Sequence, residues 1–390
     1  LWVSFEGAEP AVKLSSLGGG EAVTVLPGQS RVEYAPPGYL LYVRENTLVA
    51  QPFDAKSGKI TGEPVPLAED LGIDTVGLAH FSASHNGTLA YRGGEAGGGQ
   101  LVWTDLQGEN LRTEGDPGEV GVATLSADGR WLAMDLSAGS MESTDIWIRD
   151  LVRGVTSRFT FTEGDDSNPK WDPDGSRIVY SSMHEGQDNL FVKTIGGTAE
   201  PTLLMPSEQA QYPADWSSDG RYLLYYDRHP ENSWDLWDLD MEATERQGVP
   251  YLNSRFAEVR ARFSPDGRWV AYQTNESGRA EIYVQAFPGP GGKWQISTEG
   301  GIEPQWHPNG TALYYLAPDT NMMRVEVQTG ETFEAGIPEP VFQVSLRPIT
   351  QESRYWLAPD GERFLLLGSL QGESTPPTTI VLNWAAEQSR

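Results

Sequence analysis

The chain has 390 residues, enough for two to four ordinary domains or for one large repetitive domain whose small units stack into a continuous core. Its 28 Lys+Arg against 55 Asp+Glu leave a net charge of −27, and so acidic a surface repels phosphate backbones and anionic headgroups, which argues against a nucleic-acid partner. With no cysteine, a disulfide framework, a thiolate nucleophile and a Cys-ligated zinc are all excluded.

The chain starts at Leu1, directly in the strand-like run Leu1 to Phe5, and the expectation is a fragment or processed chain with its signal or anchor upstream. No apolar run approaches the roughly 18 residues that span a bilayer, so direct membrane insertion of this chain is not expected. The 43 Gly, 27 Pro, 13 Trp, 15 Tyr and 12 Phe suit many short strands separated by tight turns. Helical spacing is sustained nowhere, and only the tail at 383–387 reads as a helical turn. The fold class is all-β.

Taken in chain order, one turn grammar recurs: an aromatic or apolar strand end, then Asp-Gly or Asn-Gly, then an apolar strand, which is the strongest short-range hairpin signal. The copies end at glycines 38, 87, 129, 175, 220, 267, 310 and 361. Trp171 to Gly175, Trp216 to Gly220, Phe263 to Gly267 and Trp306 to Gly310 are the clearest; Ala35 to Gly38 has proline in place of the Asp. Their spacing of 42 to 51 residues is that of β-propeller blades. Third strands are predicted at 100–105, 145–150, 189–194, 235–240, 281–286 and 322–328, with short fourth strands such as 157–161 and 294–297. We therefore expect residues 1–390 to form a single propeller of four-stranded antiparallel blades. Eight blades are expected, or seven if the Pro37-Gly38 copy is not a full blade. The last hairpin, at 354–357 and 363–367 with a third strand at 379–384, leaves little chain for a fourth. Residues 1–16, through a strand at 11–14 with 1–5 alongside, are expected to supply it and close the ring.

Columns read against each turn glycine keep their character. Four residues before it stand Tyr34, Ala83, Leu125, Trp171, Trp216, Phe263, Trp306 and Leu357, suited to packing between sheets. One residue earlier stand Glu33, Ser82, Thr124, Lys170, Asp215, Arg262, Gln305 and Trp356, polar in all but the last. Inner strands line a propeller's axial channel, so Glu33, Lys170, Asp215, Arg262 and Gln305 are expected in a polar ring there. Lys170, Asp215 and Arg262 in consecutive blades would satisfy one another as a structural network; as a functional site they would hold a ligand or ion at the axis.

Catalytic motifs are missing from the sequence. The single Ser-x-x-Lys, Ser167 to Lys170, holds Pro169 at a strand entry and not the helical turn that would bring lysine to serine. Neither a Gly-x-Ser-x-Gly nor a His-Glu-x-x-His occurs, and the glycine-rich stretches lack the strand-to-helix context of a phosphate loop. Asp165, Asp166, Asp172 and Asp174 fit no calcium-loop spacing, and turn hydrogen bonds account for the last two. The five histidines are dispersed; no metal and no cofactor is expected. The loops joining second to third strands are more varied than connectors require: His184 and Glu185; Arg228, His229, Glu231 and Trp234; Asn275, Glu276 and Arg279. Polar groups with an occasional aromatic suit a recognition rim at the channel mouth. The charge of −27 points to a cationic or neutral protein, peptide or small-molecule partner.

The tandem hairpins, of which Ser264 to Arg268 is the fullest, resemble TolB-type, tryptophan-aspartate-like bacterial β-propeller repeats over essentially the whole chain. More narrowly, Tyr39 to Phe53, Thr61 to Val65, Phe81 to Ser84, Trp234 to Trp237, Tyr283 to Ser297 and Val381 to Trp384 are similar to the C-terminal propeller of bacterial receptor-type serine/threonine kinases. The resemblance implies a domain outside the cytoplasm, monomeric as a domain, within a larger signalling protein. The chain itself has no kinase glycine loop, His-Arg-Asp or Asp-Phe-Gly. The expected function is a noncatalytic binding or sensor propeller; the alternative is a hydrolase or lyase of the propeller type working at the channel mouth.

Overall fold

A computed structural model describes residues 2–4, 11–15, 22–27, 31–44, 47–69, 71, 79–92, 99–118, 120–137, 143–184, 186–197, 199–229, 233–289, 291–346, 353–369 and 378–387. Among the described residues the elements are strands apart from a helical turn at Trp384–Glu387, and the chain divides into two compact units: Leu1–Gly98 with Leu370–Arg390, and Gly99–Ser369.

The first unit holds three antiparallel sheets. Ala11–Leu14 runs between Trp2–Ser4 and Val23–Pro27. Glu33–Ala35, Tyr39–Arg44 and Thr47–Asp54 form the second, with Lys59–Ile60 and Val65–Ala68 both on the last of these strands. Thr88–Arg92 lies between Phe81–Ala83 and Thr378–Leu382. Leu41, Leu48, Phe81, Leu89 and Trp384 share one buried cluster, and Val12, Leu26, Leu40, Tyr42 and Phe53 another.

The second unit holds six sheets whose inner strands are Val120–Leu125, Asp166–Trp171, Gln211–Trp216, Glu258–Phe263, Ile302–Trp306 and Tyr355–Leu357. Each second strand serves two interfaces, because successive side chains point to opposite faces. Tyr180 packs with the preceding sheet's Ile146 and Ile148, while Val179 joins Trp216 and Leu223 of the next. The relation repeats with Leu224 and Phe263, Ala271 and Trp306, then Tyr314 and Tyr355. Leu365 and Leu367 of the sixth sheet pack with Val120 and Leu132 of the first. The six sheets thus form a closed β-propeller ring. Apolar residues on both faces explain why these strands read as continuous hydrophobic runs, each buried Leu or aromatic contributing roughly 1.5–3 kcal/mol.

Two expectations are corrected. Residues 11–14 do not close the ring: they pair within the first unit, and the last hairpin's Arg363–Ser369 instead takes Gly99–Asp105 across seven residue pairs, with Asn110–Gly118 outside it. Thr378–Leu382, expected as the third strand of that hairpin, pairs with Thr88–Arg92. A single ring of eight gives way to a ring of six sheets. The hairpins at Gly38 and Gly87 belong to the first unit. The physical reason is that a tight turn fixes its own two strands, whereas the choice of third strand is a long-range pairing that local sequence does not encode.

Candidate functional site

Two local devices set the inner strands' side chains. At the turns, Gly129, Gly175, Gly220, Gly267, Gly310 and Gly361 all have φ between 67° and 75°, and each amide donates to the carbonyl three residues back, as Gly220 does to Ser217 at 2.8 Å. Upstream, the pairing of inner with second strand slips in five of the six sheets, between Ser167 and Lys170, Pro213 and Asp215, Val259 and Arg262, Ile302 and Gln305, and Val120 and Ala123. Asn168, Arg260 and Glu303 occupy the same place in three of these bulges with left-handed φ of 55° to 58°. The bulge re-aims the following residues.

As a result, Thr124, Lys170, Asp215, Arg262, Gln305 and Trp356, one from each inner strand, line a single cavity of ≈ 260 Å³. Trp216, Phe263, Trp306 and Leu357 add apolar wall, and Ser218 and Pro265 place the cavity at the turn ends of the strands. Lys170 is 5% exposed. The Asp215 Oδ2 accepts from the Phe263 amide at 2.8 Å; burial pushes this carboxyl up, against the downward pull of Arg262, the Phe263 amide and Lys170. The Arg262 guanidinium is fixed by Ala214 O at 2.8 Å, Ala261 O at 3.0 Å and Ser353 Oγ at 3.1 Å. Beside it, the fully buried Glu303 accepts from Arg354 Nε at 2.8 Å and from the Arg354 amide at 2.7 Å. Sequence reading missed Ser353, Glu303 and Arg354; the column seven before the turn glycines is polar at Asn168, Arg260, Glu303 and Arg354 but apolar at Val122 and Pro213, too mixed to single them out.

Of the expected polar ring, Lys170, Asp215, Arg262 and Gln305 come together in the second unit. Glu33 lies in the first, where its Oε1 accepts from the Ala83 amide at 3.1 Å. Glu33 thereby repeats the inter-sheet link that Asp215 makes to Phe263.

The loop residues lie at the opposite ends of the inner strands. His184 and His229 end the strands Arg177–His184 and Tyr222–His229, and Glu185 and Glu231 fall outside the described residues. The Arg228 guanidinium lies 5.7 Å from the Trp234 ring centroid, and Trp234 packs edge-on against Tyr212 at 5.6 Å. The Asn275 Oδ1 accepts from the Ala257 amide at 3.1 Å, Glu276 pairs with Lys293, and Arg279 Nε donates to Glu281 at 2.8 Å. Among the described residues, no three His, Asp or Glu side chains gather as a metal site, and no helix is long and apolar enough to cross a membrane.

Residues 79–249 match the TolB beta propeller domain family. Curated relatives include several that carry the name Tol-Pal system protein TolB. That of Wolinella succinogenes is 24% identical over 198 residues, covering 48% of this chain and 46% of the relative. That of Francisella tularensis is 26% identical over 241 residues, 59% of this chain and 54% of the relative. The chain therefore spans about half the length of these relatives. A solved structure of a putative TolB from Agrobacterium tumefaciens matches with a TM-score of 0.53 at 16% identity, covering 69% of this chain and 97% of that one, a likeness of fold.

Proposed function

We propose that this chain is a noncatalytic protein-binding propeller working outside the cytoplasm as part of a larger bacterial assembly. The observation that carries this reading is the match to the TolB propeller family, with relatives named as components of a Tol-Pal system. The narrower context of a receptor-type kinase rests on the segments 39–53 and 283–297. The partner meets the loop rim of His184, Glu185, Arg228, His229, Glu231, Trp234, Asn275, Glu276 and Arg279, and the net charge of −27 favours a cationic or neutral partner whose binding weakens with salt. The enzymatic alternative would need acidic and imidazole groups converging at one mouth, whereas the ring of side chains in the cavity brings one carboxylate between a lysine and an arginine.

The test is capture of purified Tol-Pal system proteins on the immobilised chain, alongside a variant carrying Glu185→Ala, His229→Ala and Glu231→Ala. Capture lost in the variant, with an unchanged melting curve, is the expected result. Capture of none of them by the parent chain overturns the reading, and undiminished capture by the variant removes the rim from it.

A further inference from the structure

We propose that Asp145 and Asp166 share one proton across the seam between the first two sheets of the second unit, a latch that closes in acid and loosens as the proton leaves. It does not depend on what the loop rim binds.

The first observation is that one loop holds both carboxyls in the seam. Asp145 stands at the head of the first sheet's third strand, Thr144–Asp150, and Asp166 opens the second sheet's inner strand, Asp166–Trp171. The chain between these sheets is laced to that strand head. The Thr144 amide donates to Asp165 Oδ1 at 2.8 Å, the Ile146 amide to Thr160 Oγ1 at 2.9 Å, and the Phe159 amide to Ile146 O at 2.8 Å. Arg158 Nη2 pairs with Asp145 Oδ2 at 2.6 Å, and Thr162 Oγ1 donates to Asp166 Oδ2 at 2.7 Å.

The second observation is what these contacts leave over. Asp145 is 6% exposed and Asp166 0%, and the Oδ1 of each is buried without a hydrogen-bond partner among the described residues. Two ionised carboxyls offer acceptors alone, whereas one proton makes a donor of one oxygen and satisfies both. It also balances the charge, since Arg158 offsets one carboxylate and not two. Burial pushes the Asp166 carboxyl up; the Ser182, Thr162 and Thr160 hydroxyls pull it down, and the charge of Asp145 pushes it up further. The other titratable groups around the seam are engaged elsewhere. Asp135, on the first sheet's second strand, accepts from the Val122 and Asn168 amides, and Lys193 of the second sheet donates to Phe159 O at 2.8 Å. Tyr180 and Asp188 of that sheet are both pushed up by burial, and Asp188 accepts from Tyr212 Oη.

Third, the same two places recur in later seams. Asp145, Asn189, Asp235 and Glu281 pair with Leu136, Ser182, Asp227 and Thr274, each of them seven residues after its turn glycine. Asp166, Gln211 and Glu258 each stand nine before theirs. Three successive seams therefore read acid with acid, amide with amide, acid with acid. A carboxamide pair carries donors as well as acceptors without charge, which is what the proton supplies to the acids. Burial also pushes the Glu258 carboxyl up, and the charge of Asp235 adds to it.

The experiment follows the isotope-labelled carboxyl NMR resonances of the full chain, assigned through the backbone, from about pH 4 to about pH 8. Asp145 and Asp166 should titrate in two coupled steps, the second well above the roughly 3.9 of a free aspartate. The folded state holds this proton more tightly than the unfolded one, so the latch is at full strength below the unfolded value and is lost as pH rises through the folded one. Hydrogen exchange of the Ile146 amide, corrected for base catalysis, should therefore speed up by about tenfold or more across the second step. Asp166→Asn gives Asp145 a permanent N–H donor, and its Ile146 amide should stay within about twofold over the same range. Both carboxyls ionising in the ordinary carboxylate range overturns the proposal whatever the variant does. A parent amide as insensitive to pH as the variant's also overturns it. So does calcium, magnesium or sodium slowing this exchange in the parent alone at about pH 8, since a cation would then stand where the proton is assigned.

Discussion

A carboxyl that resists ionisation records what its burial costs. Asp238 stands within the strand Ser233–Asp240, paired with Leu224 on one side and Val249 on the other. Burial, with the like charge of Asp240 beside it, pushes this carboxyl up to about 6, against roughly 3.9 in an unfolded chain. The folded state holds the proton more tightly than the unfolded state, so stability falls as pH rises through about 6 and is regained as pH drops toward the unfolded value. Turn acids run the other way. Ser126 and Ser217 donate to Asp128 and Asp219 and hold those carboxyls below their usual range. Their contribution is present above the unfolded value and is lost only as pH falls through the lower, folded one. In the window above both, Asp238→Asn should melt higher than the parent at about pH 7.5, and the gap should narrow by about pH 5. An equal gap at both pH values, read by thermal melts, would assign the effect to something other than this titration.

At the scale of elements, the third strands are tied at their heads to the loop that leads into the next sheet. The Ile146 amide donates to Thr160 Oγ1 at 2.9 Å, Asn189 Oδ1 accepts from the Ser207 amide at 3.0 Å, and the Ile282 amide donates to Ser297 Oγ at 2.8 Å. The last tie is the fullest, for Ser297 also donates to the buried Glu281, which accepts from the Gly300 amide at 3.0 Å. Ser297→Ala leaves the Ile282 amide and a Glu281 oxygen buried without this partner. A loss of about 1–3 kcal/mol in denaturant-measured stability is expected, and an unchanged midpoint would show that water replaces the hydroxyl. Legibility follows the same division. Turn glycines and third strands such as Glu281–Ala286 were readable because their signals are local: a positive φ and a run of alternating faces. The bulges at Asn168, Arg260 and Glu303 were not, because a single inserted residue breaks the two-residue period without a composition of its own. The cavity residues were legible as a column five before the glycine, which already sets them at the turn ends of their strands, but not the hydrogen bonds that fix Arg262 to Ala214 and Ser353.

At the scale of the molecule, the ring's closure determines what can fold alone. A two-stranded hairpin at 355–369 would leave an open edge, and Gly99–Asp105 covers it in a continuous register from Gly99 opposite Ser369 to Asp105 opposite Arg363. First and last strands of the second unit thereby share one sheet, so unfolding either end exposes the edges of both. The repeat period could not reveal this, since it counts hairpins along the chain and is blind to which distant strand completes them. All six sheets, their six buried clusters and the cavity lie within residues 99–369. A fragment of those residues should therefore fold as a cooperative unit with a strand-rich circular dichroism spectrum. Shortening it to start after Asn110–Gly118 removes the two strands that complete the last hairpin, and that version should lose the sharp transition. A fragment 99–369 that melts without cooperativity, or a shortened version that melts like it, would show that the ring is not closed by this pairing.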